Sequence, residues 1–407
     1  MWDVIVAGSG PAGSAAAIAA RRAWPDAKVA LLDRADFPRD KCCGDGVAPH
    51  VLDVLARLGV YGLLADRTPV HRIRLGFRGG PELAGEMLRP AYVVPRTVLD
   101  ARLRAVALDR GAEALRHRVR TVEVRADRVV FDGELEARYV IGADGAQSVV
   151  RRAVAPDPAP GTAAIALRAY VPIGSLPPDE QVIAFDRRGG NGRGPGYPAY
   201  AWAFPIGDGR ANVGYGELLP RSGEAPTRAY LLDKLHSLLP DVGELSDVRG
   251  HRLPLSTAGV RQPDGRVLLA GDALSLINPL TGEGIHAAVL SGALAGAAAA
   301  RSARTAGSSS SAAPDAGQAY RLALRGAFGL HTQGVNLLAR LAHPRAVAAG
   351  LRGADGRQRA FDALVDLGLA DGPVTASVMG VIARQVARQV ARKAVPGRSG
   401  QNRPRRI

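Results

Sequence analysis

Three clusters of residues have types and spacings that could do chemistry. Gly8, Gly10 and Gly13 form a Gly-x-Gly-x-x-Gly run after the apolar Val4-Ile5-Val6, and Asp33 follows twenty residues beyond the last glycine. The first glycine permits a tight turn, the second lets a backbone approach a pyrophosphate, and the third lets helix and strand pack closely. A helix opening at Pro11 and Ala12 then offers free N–H groups and its positive dipole end to phosphate oxygens. Asp33, with Arg34 beside it, is placed for the hydroxyls of a ribose. The second cluster is Gly271-Asp272 together with Asn278-Pro279-Leu280-Thr281-Gly282-Glu283-Gly284-Ile285. A carboxylate at a strand end can hold a ribityl hydroxyl, and a glycine turn opening a helix can set N–H groups against a flavin pyrimidine ring. That choice favours FAD over NAD. The third cluster joins Lys41-Cys42-Cys43-Gly44 to Tyr200-Ala201-Trp202-Ala203-Phe204-Pro205, where strand alternation puts Tyr200, Trp202 and Phe204 on one face.

The elements that must hold these residues follow from periodicity. Strand, turn, helix and strand succeed one another over the first 33 residues, the pattern of a parallel α/β sheet. Arg96, Leu99 and Leu103 open a second helical pattern, and Tyr139-Val140-Ile141 reads as a strand ending in Gly142-Ala143-Asp144-Gly145. From about Ala153 to Arg261, strand-like runs separated by Gly and Pro predict a mostly antiparallel sheet. The expected fold is therefore α/β: an FAD-binding Rossmann-like domain with an inserted antiparallel-sheet substrate domain and a C-terminal helical region. Its FAD-binding part is discontinuous (1–69, 92–150 and 262–301), its substrate-binding part comprises 70–91 and 151–261, and a flexible loop (302–317) leads to helices (318–395) and a basic disordered tail (396–407).

With 407 residues, 47% hydrophobic and 22% charged, the chain excludes disorder and collagen. Its net charge of +15 is carried almost wholly by arginine, only Lys28, Lys41, Lys234 and Lys393 being lysines. Residues 384–407 hold eight basic side chains and no acid. With aromatics at 5% and no basic-aromatic interleaving, nucleic acid is not an expected partner. Arg384, Arg388 and Arg392, at i, i+4 spacing within 378–395, suggest either peripheral contact with an anionic membrane or a solvated helix. The adjacent cysteines cannot staple distant segments and suit a reducing compartment, hence a cytoplasmic location. The eight histidines show no metal spacing and no serine elbow occurs, so no metal or acyl-transfer site is expected.

The glycine motifs, Gly142-Ala143-Asp144-Gly145 and Arg96-x-x-Leu99-Asp100 together resemble the hydroxylase-type branch of glutathione-reductase-like FAD proteins. Within it, Phe37-Pro38-Arg39-Asp40-Lys41-Cys42-Cys43-Gly44 and the Tyr200-to-Pro205 box followed by Asn212-Val213-Gly214-Tyr215-Gly216 are similar to segments of the geranylgeranyl reductase family, nearest to its menaquinone isoprenyl-chain reductases. The resemblance covers about residues 1–300; Asp33 stands where Glu is commoner and Cys42 where Pro is usual. It implies a cofactor site including Arg96, Lys41, Cys43 and Gly44, and a prenyl substrate against Tyr200, Trp202, Phe204 and Pro205. Cys43, Tyr200 and Trp202 are the implied catalytic residues. For Cys43 the choice is between a proton donor near the flavin and a small buried hydrophobe; for Lys41 and Arg39 it is between phosphate and solvent. The aromatic face is either a prenyl wall or sheet core. The implied activity is saturation of an isoprenoid double bond, with NAD(P)H or a reduced carrier as transient reductant. The alternatives are an FAD monooxygenase, hydroxylase or epoxidase, acting on a natural product, and a non-catalytic flavoprotein. Halogenation is disfavoured, since no lysine occurs between Lys41 and Lys234.

Overall fold

The computed structural model describes residues 1–186, 199–220, 224–306, 315–341 and 344–369. Two sheets organise them. The first has seven strands: β1 (Trp2–Ala7), β2 (Val29–Asp33), β6 (Glu113–Arg116), β7 (Val122–Val124), β8 (Val129–Phe131), β9 (Leu135–Gly142) and β15 (Val267–Leu269). Its order is β6-β2-β1-β9-β8-β7, with β15 also paired to β9. The pairs β2–β6, β1–β2, β1–β9 and β9–β15 are parallel, with Val4 opposite Val29 and Tyr139, so these strands end on one edge. Ligands of such sheets sit beyond that edge, where Gly8, Asp33, Ala143 and Ala270 begin the following loops.

The second sheet has order β14-β10-β13-β12-β11-β4-β5-β3. Its strands are β3 (Gly46–Val47), β4 (Pro69–Phe77), β5 (Glu82–Val93), β10 (Ala163–Pro172), β11 (Glu180–Phe185), β12 (Tyr200–Pro205), β13 (Arg210–Leu218) and β14 (Ser246–Pro254). All pairs are antiparallel except β4–β11. One face of its centre is covered by α5 (Arg228–Leu238), whose Leu231 and Leu235 pack on Ala201, Val213 and Tyr215.

The remaining helices are α1 (Pro11–Ala23), α2 (Pro49–Arg57), α3 (Arg96–Asp109), α4 (Val149–Val154), α6 (Ile285–Ala306), α7 (Ala316–Leu341), α8 (Pro344–Ala354) and α9 (Gln358–Leu369). Helices α1 and α6 touch backbone to backbone. A Cβ on Gly292 would lie 2.0 Å from the Ala12 carbonyl oxygen, and one on Gly296 the same distance from that of Ala16. Helix-interior glycine costs about 1 kcal/mol against Ala, which the close packing of two Ala-rich faces offsets. Helices α8 and α9 close over β4 and β5 through Leu351, Phe361 and Val365 against Ile73, Phe77 and Leu83.

Both ends of the stretch expected as a flexible loop, 302–317, are helical. Ser302 to Ala306 continue α6, because Ser302 and Ala303 are buried on its inner face, and Ala316 and Gly317 already begin α7. Residues 307–314, the arginine-spaced stretch 378–395 and the basic tail lie outside the described residues.

Candidate functional site

The strand edge of the first sheet and one face of the second enclose a cavity of about 1760 Å³. At one end Gly8, Gly10, Pro11 and Ala12 line it. Gly8 has φ +100°, and a Cβ on Gly13 would fall 1.7 Å from the Gly8 carbonyl oxygen, so only this backbone-on-backbone turn brings α1 to the edge. Gly13 itself does not line the cavity; it makes the turn possible. Gly10 is the N-cap of α1 with no side-chain cap, and Pro11 fills the first turn, leaving that helix end free for a ligand. The Asp33 carboxylate accepts from the Ser9 and Ala35 N–H groups, both at 3.0 Å, and is held at the cavity wall next to Arg34.

Two guanidiniums converge on the helix end. A Cβ on Gly10 would lie 3.3 Å from Arg39 Nη2 and 3.8 Å from Arg96 Nη2. Arg96 is buried and donates twice to Asp100 at 2.6 and 2.7 Å, while Arg39 Nη1 stands 3.1 Å from the same carboxylate. Burial opposes the Arg96 charge, yet Asp100 keeps its pKa above the ordinary arginine value. Farther along, His117, Arg118 and Val119 complete this end. No sequence signal marked them, since they follow a four-residue strand and meet the site only through the His117 N–H bond to the Asp33 carbonyl at 2.9 Å.

The second glycine region faces this one. Pro279, Gly282, Gly284 and Ile285 line the cavity, whereas Gly271 is turned inward, its N–H bonded to Ser291 Oγ at 3.0 Å. Asp272 is at the wall, paired with Lys41 Nζ at 2.9 Å. Lys41 is thus assigned neither to phosphate nor to solvent in this arrangement. Burial pushes the Asp272 carboxyl up, but Lys41 wins and holds it below the usual carboxylate value. His251 shares this corner; burial, with Lys41 adding to it, lowers its pKa to about 4, so the imidazole is neutral. Asp144 serves the neighbouring strand end as a cap, accepting from the Val149 N–H at 2.7 Å at the start of α4.

Midway, Cys43 and Gly44 lie against β12. Tyr200, Trp202 and Phe204 share the cavity face, with ring centroids 6.1 and 6.5 Å apart, and Phe185 continues the row at 6.2 Å from Tyr200. Pro205 alternates to the other face and does not line the cavity. The Tyr200 hydroxyl donates to the Thr281 carbonyl, tying the aromatic face to the glycine turn. Trp202 Nε1 donates to Asn212 Oδ1 at 2.8 Å. Burial raises the Cys43 thiol, only partly countered by Arg96, and raises Cys42 to about 12. Both are protonated thiols, suited to holding a proton and not to attack as thiolates. Beyond the aromatic row the wall becomes aliphatic, with Ile73, Leu75, Ile183, Leu338, Val347 and Leu351. The contribution of α7 and α8 was not legible in the sequence, where nothing marks those helices as reaching the site.

Residues 1–195 match the FAD binding domain family. The chain is 36% identical over 313 residues to the menaquinone reductase of Mycolicibacterium smegmatis, spanning 72% of this chain and 75% of that protein. The chain belongs to the geranylgeranyl reductase family of FAD-dependent oxidoreductases. Digeranylgeranylglycerophospholipid reductase 1 of Methanopyrus kandleri, another relative, is 34% identical over 315 residues, 72% of this chain and 79% of that one. Among solved structures, a geranylgeranyl bacteriochlorophyll reductase-like protein of Thermoplasma acidophilum superposes with a TM-score of 0.72 at 21% identity, covering 96% and 98% of the two chains. The site fits FAD. An uncapped helix end beside two guanidiniums suits a pyrophosphate, Asp33 suits a ribose, and the turn from Pro279 to Ile285 stands across the cavity for the ring system.

Proposed function

We propose that this flavoprotein saturates a carbon-carbon double bond in an isoprenoid chain, of a menaquinone or a geranylgeranyl compound. The carrying observation is the continuous wall from the Cys43 loop through Tyr200 and Trp202 into the aliphatic end: an apolar chain can lie along it with one unit beside the flavin site. FAD, once reduced, supplies a hydride to one alkene carbon. The protein's own part is positioning and exclusion of water, because an isolated alkene is a poor acceptor and alignment matters more than any single acid. Tyr200, Trp202 and Phe204 hold the chain flat. Cys43 keeps a proton on Sγ at the wall, available to the second alkene carbon. Gly8 to Ala12, Asp33, Arg34, Arg96, Gly44, Asp272 and the Pro279–Ile285 turn form the cofactor site, with Lys41 acting through Asp272.

On this reading 1–69, 92–150 and 262–301 form the FAD-binding part and 70–91 and 151–261 the substrate-binding part, to which Cys43 and the helices α7 and α8 add wall residues. NAD(P)H or a reduced carrier delivers electrons transiently, since the sequence holds one nucleotide fingerprint. None of the described helices is long and apolar enough to cross a membrane. We place the protein in the cytoplasm with peripheral contact to the membrane that holds a polyprenyl substrate. The test is anaerobic: reduce the purified protein with dithionite, then add short-chain menaquinone or geranylgeranyl diphosphate. Reoxidation without oxygen is expected, with a product that stays two mass units heavier after any quinol ring has been reoxidised in air, the added hydrogens lying in the prenyl chain. Flavin that stays reduced until air enters would overturn prenyl reduction.

A further inference from the structure

The segment Asn212-Val213-Gly214 follows the aromatic box in sequence and has no role in the reading so far. In the fold it lies on β13, beneath Trp202. A Cβ on Gly214 would lie 2.2 Å from Trp202 Cζ2, so the indole fills the space a side chain there would take. Asn212 is fully buried and makes three hydrogen bonds. Its Oδ1 accepts from Trp202 Nε1 at 2.8 Å, and its Nδ2 donates to the Cys43 carbonyl at 2.9 Å and to Asp45 Oδ2 at 2.8 Å. The amide has one possible orientation, because indole nitrogen only donates while a carbonyl and a carboxylate only accept. Asp45 is itself fully buried, in a left-handed backbone conformation at φ +59°, and also accepts from the Tyr170 hydroxyl at 2.6 Å. On the other side of the loop, Arg168 donates to Asp40 at 2.6 Å.

We propose that Asn212 is a positioning residue that sets the Cys43 loop against Trp202, fixing the thiol-bearing wall of the site relative to the aromatic wall. One amide carries the register between two segments 169 positions apart in the chain. No other side chain of this size does the same: Asp lacks the two donors, and Leu lacks donors and acceptor alike. The proposal rests on Cys43 and Trp202 flanking the reacting unit. Its physical content, that the approach of the Cys43 stretch of this loop to Trp202 depends on one amide, is readable without any prenyl substrate.

The test uses the FAD-loaded protein with Cys42→Ser, so that iodoacetamide reports on Cys43 alone. Asn212→Asp keeps the shape and loses both donors. We expect FAD content and circular dichroism to match the parent, and loss of the buried hydrogen bonds to raise alkylation of Cys43 about tenfold. The ratio of variant to parent alkylation should shrink as pH falls from about 8 to about 5, because the new carboxyl faces Asp45, itself lifted to about 6 by burial, and a proton taken up by this pair restores one donor. In turnover, kcat should fall with little change in KM. If Asn212→Asp does not fold, Trp202→Phe, which drops the indole donor and some ring area, is assayed for Cys43 alkylation alone, and a rate equal to the parent's would likewise overturn the assignment. Unchanged alkylation and an unchanged pH ratio in a folded variant would overturn the assignment, whether or not the protein reduces prenyl chains.

Discussion

At its nucleotide end the cavity is built around main chain, the Gly8–Gly13 turn, the uncapped start of α1 and the Pro279–Ile285 turn, with Asp33, Arg39 and Arg96 set beside it. At its other end it is made of side chains from strands and helices far apart in sequence, Trp202 and Phe185 from the second sheet, Leu338 and Leu351 from α7 and α8. A backbone site tolerates no added atom but asks little of its neighbours. A side-chain site absorbs substitution and changes which ligand fits. On the proposed function, the cofactor is specified by a few short motifs, and the substrate by the packing of the second sheet with its helices.

The sharpest way to break the backbone end is Gly13→Ala. With the new methyl 1.7 Å from the Gly8 oxygen, the turn must open. We expect at least about 3 kcal/mol of destabilisation and purified protein without FAD, read from its melting curve and flavin absorbance. At the other end the same chemical change has the opposite result. Gly350 lines the cavity from α8, and nothing lies within 4 Å of where its Cβ would be. Gly350→Ala should stabilise the helix by about 0.5–1 kcal/mol. Gly350→Phe should leave FAD content intact, and in competition assays it should cut turnover of long prenyl chains more than about tenfold relative to short ones.

Between the two ends, Asp45 gives a pH signature. Burial lifts its carboxyl to about 6 despite the bonds from Tyr170 and Asn212, against an ordinary value of 3.8. The folded protein thus keeps this proton where the unfolded chain has lost it. The stability it contributes is complete below pH 3.8 and is lost as pH rises to about 6, an amount of about 3 kcal/mol. Denaturation midpoints of Asp45→Asn across that window should lack this component. Smallest of all is Cys42→Ser. Its thiol only reaches the Arg249 carbonyl, at 3.2 Å, so turnover within about twofold of the parent is expected.

What the sequence made legible follows the same division. Gly8, Gly10, Asp33 and the 278–285 turn were readable because their spacing lies within single strand-turn-helix units, and the first sheet came with them. The aromatic face was readable from alternation alone, with Pro205 the residue that alternation sends to the far side. Lys41 was named from the family resemblance, but its pairing was not readable, since its partner Asp272 is 231 positions away. Nor were Arg168 with Asp40, Asn212 with Cys43, or His117 to Val119, whose roles exist only once two sheets meet. Gly292 and Gly296 read as lapses in an Ala-rich helix until the backbone of α1 is seen against them.

That last contact bears on how the chain reaches its final state. Helix α1 is finished at residue 23, and the helix that covers it starts at residue 285. At about 5–20 residues per second of synthesis, the alanine face of the first helix waits on the order of 15 to 50 s for its cover. Until then the first βαβ unit has no complete core, and the cavity between the two sheets has no floor. The α1 face that meets the backbone of α6 is therefore among the last parts of the first sheet's core to be covered.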